Sequence, residues 1–235
     1  MASRKAQKEA AKAARIAREA ELAAAARRKR QTVIAGSATS VRLSKEGSTL
    51  KLKVGSIALL GRMQAPPAPT SLGPEGIPVT GAPPLADTAS MASGNTVDGI
   101  GCLGQEQTLF HIQAHLTVFV NGAQRSVPYR IGITGAQVQQ TPAGPFVGGG
   151  SCFYFLHTHA ADGIIHIESP VQRTCTLGNF FDIWGQQLNA HQVASAKGPV
   201  NAFYSGQLYV GNPRHILLHA HVNIQLDIAG RWSRR

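Results

Sequence analysis

Three imidazoles and a carboxylate fall within twelve residues of this chain, as His157, His159, His166 and Glu168. Neutral imidazole is a borderline ligand that suits zinc, copper or iron, and a carboxylate widens that range. The chemistry such a group supports is that of a mononuclear divalent transition-metal site. For the four side chains to converge, the chain must reverse between them. Asp162-Gly163 supplies the signal, because both central residues of a type I′ hairpin turn need positive φ.

The flanks of that turn, residues 152–159 and 164–169, are rich in the β-branched and aromatic residues of strands. Two registers are open. With Asp162-Gly163 as a two-residue loop, His159 opposes His166 and His157 opposes Glu168. With the loop shifted back by one residue, His157 opposes His166 and Phe155 opposes Glu168. Directly opposed residues share a face, so either register gathers all four groups on one side. Opposed Cβ atoms lie about 5 Å apart, within reach of one ion at roughly 2.0–2.1 Å from each nitrogen.

Further histidines occupy other alternating segments. From Leu109 to Val120, Ile112, Ala114, Leu116, Val118 and Val120 form an apolar face, and His111, Gln113, His115 and Thr117 a polar one. Asn121-Gly122 then marks a hairpin, with a return strand from Arg125 to Ile133 that Pro128 places at an edge or bulge. His111 and His115 lie about 13 Å apart along such a strand, so they do not chelate one ion together. Either one can complete the hairpin site after folding. From Ile216 to Ile228 a third segment alternates, with His219, His221, Asn223, Gln225 and Asp227 on its polar face. His219 and His221 make a second candidate metal site, weaker for want of a folded-back partner. His191 and His215 are expected in loops.

Thr176 to Gly185 predicts a short helix, capped by Thr176 and stopped by Gly185. Its Phe180, Phe181, Ile183 and Trp184 are expected to close the open end of a β core. Cys102, Cys152 and Cys175 lack metal-ligand spacing. Cys102 and Cys152 are a candidate disulfide tying the start of the body to the histidine hairpin, which calls for an oxidising compartment. No metalloprotease helix, nucleophile elbow or phosphate-binding loop is present.

The elements that must position these residues begin late in the chain. No Phe, Tyr or Trp precedes Phe110. Charge is equally uneven: residues 1–62 hold fifteen Lys/Arg and four Asp/Glu, whereas residues 63–230 hold five and eight. The net charge of +11 therefore describes the ends of the chain and not its body. Residues 1–30 read as a basic, Ala-rich helical or disordered tail, suited to an anionic membrane surface. Its lack of aromatics and of any nucleic-acid motif speaks against nucleic acid. No apolar run of about 20 residues and no secretory leader is visible. Residues 31–61 read as a marginal hairpin about Glu46-Gly47 or a degenerate membrane segment, residues 62–96 as a Pro/Gly-rich linker, and residues 97–230 as the β-rich domain.

The segments DGIGC, FHIQAHLTVFVNG, VPYRIGI, FLHTHAADGIIHIESP and TLGNFFDIWGQ, spread over residues 98–186, resemble a group of bacterial and archaeal proteins. Its members are often membrane-tethered and extracytoplasmic. The resemblance implies His111, His115, His157, His159 and His166 as motif residues. Gln113 stands where the group tends to have His, and Ala161 where it often has a polar residue. The basic start resembles the group's cytoplasmic flank without its membrane helix, as a frame-shifted segment at residues 31–61 would produce. The ligand set is also similar in kind to that of cupins, although Gly163 and Ile164 stand where a cupin places its Glu.

The expected fold is all-β, an antiparallel β-sandwich or small barrel of six to eight strands with one short helix. The leading function is a metal-binding β-domain holding Zn, Cu or Fe, with catalysis or redox chemistry left open. One alternative is a non-catalytic extracytoplasmic binding or structural sandwich. The other is nucleic-acid association through the basic tail.

Overall fold

The computed structural model describes residues 41–45, 48–54 and 72–229, all within the unit Ser40–Arg235. The expected tail, the remainder of residues 31–61 and residues 62–71 lie outside the described residues. The fold is all-β with one short α-helix. Strands β1 (Val41–Lys45) and β2 (Ser48–Val54) pair antiparallel. After them come β3 (Cys102–Leu103), β4 (Phe110–Val120), β5 (Ala123–Arg125) and β6 (Ile133–Thr134). The hairpin β7 (Gln137–Thr141) and β8 (Gly144–Gly149) follows, then β9 (Cys152–Tyr154), β10 (Leu156–His157) and β11 (Ile164–Ser169). Beyond the helix α1 (Leu177–Trp184) lie β12 (Leu188–Asn189), β13 (Gln192–Val193), β14 (Ala196–Lys197), β15 (Val200–Tyr204), β16 (Gln207–Tyr209) and β17 (Asn223–Ile228). The described strands number seventeen, more than the six to eight expected, because bends divide the chain into pieces of two or three residues.

The main sheet runs β1-β2-β16-β15-β17-β4-β11-β10, with β5 also on β4, and it does not close into a barrel. β4 is its spine: residues 110–115 pair with β11, residues 118–120 with β5, and residues 115–120 with β17 in parallel. Its alternation does what the sequence pattern requires. Ala114, Leu116, Val118 and Val120 are buried in the core, and His111 lies exposed on the other face. The β4–β5 turn is type I′ in sign, with φ of 52° at Asn121 and 78° at Gly122. The return strand is only Ala123–Arg125, short of the expected Arg125 to Ile133, since Ser126 turns its backbone to Pro83 and Leu85.

Helix α1 has Thr176 as N-cap, with a reciprocal pair of bonds to Asn179, and ends on Gly185 in the left-handed region. Phe180, Phe181, Ile183 and Trp184 are all fully buried against the sheet. The indole Nε1–H of Trp184 donates to the Asp87 carbonyl at 2.7 Å. That bond also shows how the segment before Val97 behaves. From Leu72 onward it is irregular, yet Ala82 and Leu85 are buried, Leu85 N donates to the Ser126 carbonyl and Ser126 N donates to the Pro83 carbonyl. It is a strap laid over the body, where an extended linker was expected.

Candidate metal centre

The site begins with the pairing of β10 and β11, in which Leu156 opposes Ile167 and His157 opposes His166. This is the shifted register of the two left open by the sequence. The reversal is wider than a type I′ turn: residues 158–163 form the connection, and of Asp162 and Gly163 only Gly163 has positive φ, at 86°. The reason lies in competing partners. Thr158 exchanges backbone bonds with Arg130 and Ile131 and not with β11. His159 turns to β8, where its carbonyl accepts from Val147 N at 3.0 Å. Asp162 closes the loop with its own side chain, Oδ1 accepting from Ile164 N at 3.0 Å.

The four residues nevertheless converge. His157 is 0% exposed, Glu168 3%, His166 4% and His159 8%. One ligand atom from each of His157, His159 and His166 lies within 4.8 Å of the others. His111, His166 and Glu168 form a second such group, and Glu106, His157 and Glu168 a third. The rings of His157 and His166 stack with centroids 5.3 Å apart, and His159 stands edge-on to both.

Backbone carbonyls fix the tautomers of two rings. His157 donates from Nδ1 to the Tyr154 carbonyl at 2.8 Å, and His159 donates from Nδ1 to the Val147 carbonyl at 2.6 Å. Each therefore turns its Nε2 into the cluster. His157 Nε2 and Glu168 Oε2 are buried, make no hydrogen bond among the described residues, and face each other at 3.9 Å. Two ligands about 2.1 Å from a tetrahedral ion stand about 3.4 Å apart, so a modest movement fits this pair to a shared metal. Buried polar atoms without partners are rare and costly, and a coordinated ion satisfies both at once.

Carboxylates surround the imidazoles. Glu168 Oε1 lies 3.2 Å from both His111 Nε2 and His166 Nδ1. Glu75 Oε1 sits 2.6 Å from His166 Nε2, and Glu106 Oε1 3.4 Å from His159 Nε2. Burial, and then the neighbouring His159 and His166 charges, hold His157 neutral by depressing it to about 3. Burial acts the same way on His166, but the hydrogen bonds and charges of Glu168 and Glu75 outweigh it and raise that ring to about 9. Burial raises Glu75 and Glu168, yet their contacts with the imidazoles leave both below the usual carboxylate range. Asp162, buried beside the Glu75 charge, is pushed up to about 6.

Of the two β4 histidines, His111 reaches the cluster. His115 instead bonds through Nε2 to the Asp162 carbonyl at 2.9 Å, outside every described ligand group. His219 and His221, the second candidate site, lie outside the described ligand groups. They are exposed, the strand begins only at Asn223, and His221 sits at φ 58° in a turn. Residues 216–218 instead meet the start of α1, with Leu177 N bonding to Ile216 O and Leu218 N to Cys175 O, and Val222 N closes a turn onto His219 O. Cys102 and Cys152 are joined as a disulfide, and Cys175 is a buried thiol.

Glu75 and Glu106 were not anticipated, since each lies far from the histidine motif. Scarcity was the available signal: four of only eight carboxylates in residues 63–230, Glu75, Glu106, Asp162 and Glu168, surround these rings. The β7–β8 hairpin was also missed, and it supplies the Val147 carbonyl and the Phe146 ring stacked on His159 at 5.5 Å. Beside the cluster, a cavity of about 520 Å³ is bordered by Gln113, His115, Asp162 and His221. No described helix is long and apolar enough to cross a membrane. No protein-family model, curated protein or solved structure matches the chain. The cluster, a buried histidine group at metal-binding distances, thus defines the site on geometry alone.

Proposed function

We propose that the protein is a metal-binding β-domain whose centre is held by His157, His159 and His166, with Glu168 as the carboxylate ligand. The facing orphans His157 Nε2 and Glu168 Oε2 carry this reading. Outer partners support it, because Tyr154 O and Val147 O orient the two rings as carbonyls do in metal sites. The donor set belongs to divalent zinc, copper or iron. Such an ion supplies Lewis acidity and, where a coordination position stays open, an acidified water suited to hydrolytic or lyase chemistry. The disulfide supports an extracytoplasmic body, since disulfides persist in oxidising compartments.

Elemental analysis of the full chain after exhaustive dialysis tests the proposal. Stoichiometric metal that disappears in the His157→Ala, His159→Ala double variant is expected. A second reading rests on His166 lying between the Glu75 and Glu168 carboxylates at 2.6 and 3.2 Å. In it, a proton on His166 offsets part of the charge of the two carboxylates and the body is a structural β-domain. Wild-type protein that binds no metal and melts identically with and without chelator decides for that alternative.

A further inference from the structure

The cluster offers more ligand atoms than one ion takes, and they divide about a single side chain. On the Oε2 side of Glu168 stands His157 Nε2, grouped with Glu106 and with His159. On the Oε1 side stand His111 Nε2 and His166 Nδ1, each at 3.2 Å. Those two distances match the edges of a coordination tetrahedron, about 3.4 Å for ligands near 2.1 Å from the ion. The Nε2 of His166 is oriented by Glu75 at 2.6 Å, the carboxylate–histidine arrangement that turns the opposite ring nitrogen toward a metal.

We infer that the protein holds two divalent transition-metal ions bridged by the Glu168 carboxylate. His157, His159 and Glu106 serve the buried position, and His111 and His166 serve an outer one. The inference rests on the proposed metal-binding function and reassigns His166 from the inner ion to the outer. Bridged ions in such sites lie about 3.5–4 Å apart, a spacing that one carboxylate spans. The outer position borders solvent, for the His111 side chain is 42% exposed whereas that of Glu168 is 4%. Exchangeable coordination positions therefore belong to the outer ion, and a small anionic ligand such as phosphate is the class that would bridge or cap it.

The test is a Co²⁺ titration of the full chain followed by dialysis and elemental analysis, with thermal melting as the check on folding. Two equivalents in the wild type are expected, falling to one in His111→Ala with no change in melting of the chelated protein. Carboxylate bridging predicts magnetic coupling between the two Co²⁺ ions that disappears in the same variant. His219→Ala, His221→Ala should keep both equivalents, and a lost equivalent there would assign the extra ion to the surface and overturn the inference. One equivalent that survives His111→Ala overturns the second ion and leaves the mononuclear centre standing. One equivalent abolished by His111→Ala also overturns it and moves the single centre outward. No bound cobalt overturns both readings.

Discussion

His166 stands between two carboxylates, and what it carries there decides how the site responds to pH. With the ring raised to about 9, it holds a proton at neutral pH in the metal-free protein, whereas His157, depressed to about 3, does not. A metal needs the lone pair of each imidazole, so loading must expel the His166 proton but none from His157. Zinc binding at pH 7 is expected to release about one proton through this residue, measured by calorimetry in buffers of different ionisation enthalpy. Release of none would remove His166 from the ligand set. The same shift has a stability consequence. A ring whose folded pKa exceeds its unfolded value near 6.5 contributes stability that is fully present below pH 6.5. That contribution is lost as pH rises through about 9. The chelated protein should therefore melt at progressively lower temperature across that window, and the loaded protein should not. Glu75 acts on this ring from outside the ligands, so Glu75→Gln should weaken metal binding about 10- to 100-fold in a chelator competition while leaving the stoichiometry intact.

Each ring is aimed by the backbone packed around it, and some of those contacts tolerate no added atom. Gly132, at φ 71°, lies under β10, where a Cβ would stand 2.3 Å from the Leu156 carbonyl and 3.1 Å from His157 Cβ. Gly132→Ala should cost about 2 kcal/mol or more in chemical denaturation and displace His157, with metal lost in parallel. Cys102–Cys152 ties β3 to β9 across 50 residues. Replacing both by Ser should cost about 4 kcal/mol by loop-closure entropy, read as a lowered denaturation midpoint. At this scale the sequence was legible where a pattern is local. The alternation of β4, the Asn121-Gly122 turn and the Thr176 and Gly185 caps each depend on residues a few positions apart, and each formed. The tight Asp162-Gly163 turn did not, because Thr158 and His159 found partners on Ile131 and Val147 that no local pattern reveals. The carboxylates were hidden for the same reason: Glu75 reaches His166 across 91 residues of chain. Polar side chains facing one another over such separations leave no periodic trace.

Charge is divided unevenly along the whole molecule. Residues 1–39 carry ten Lys/Arg against three Glu, while residues 63–230 are net acidic and hold every group of the metal centre. We propose that the first segment is drawn to anionic lipid surfaces, at about 1 kcal/mol per basic residue close to the lipid. Removing residues 1–39 should abolish sedimentation of the protein with vesicles containing phosphatidylserine and leave the metal content of the remaining chain unchanged. The Debye length shrinks from about 10 Å at 0.1 M salt to about 3 Å at 1 M. Vesicle binding by the full chain should accordingly vanish well before 1 M, whereas a carboxylate and imidazoles buried around an ion remain unscreened. Binding that persists in high salt would point to an apolar anchor in place of charge. Loss of metal on truncation would show that the tail takes part in the site, against a division in which every proposed ligand lies from Glu106 onward.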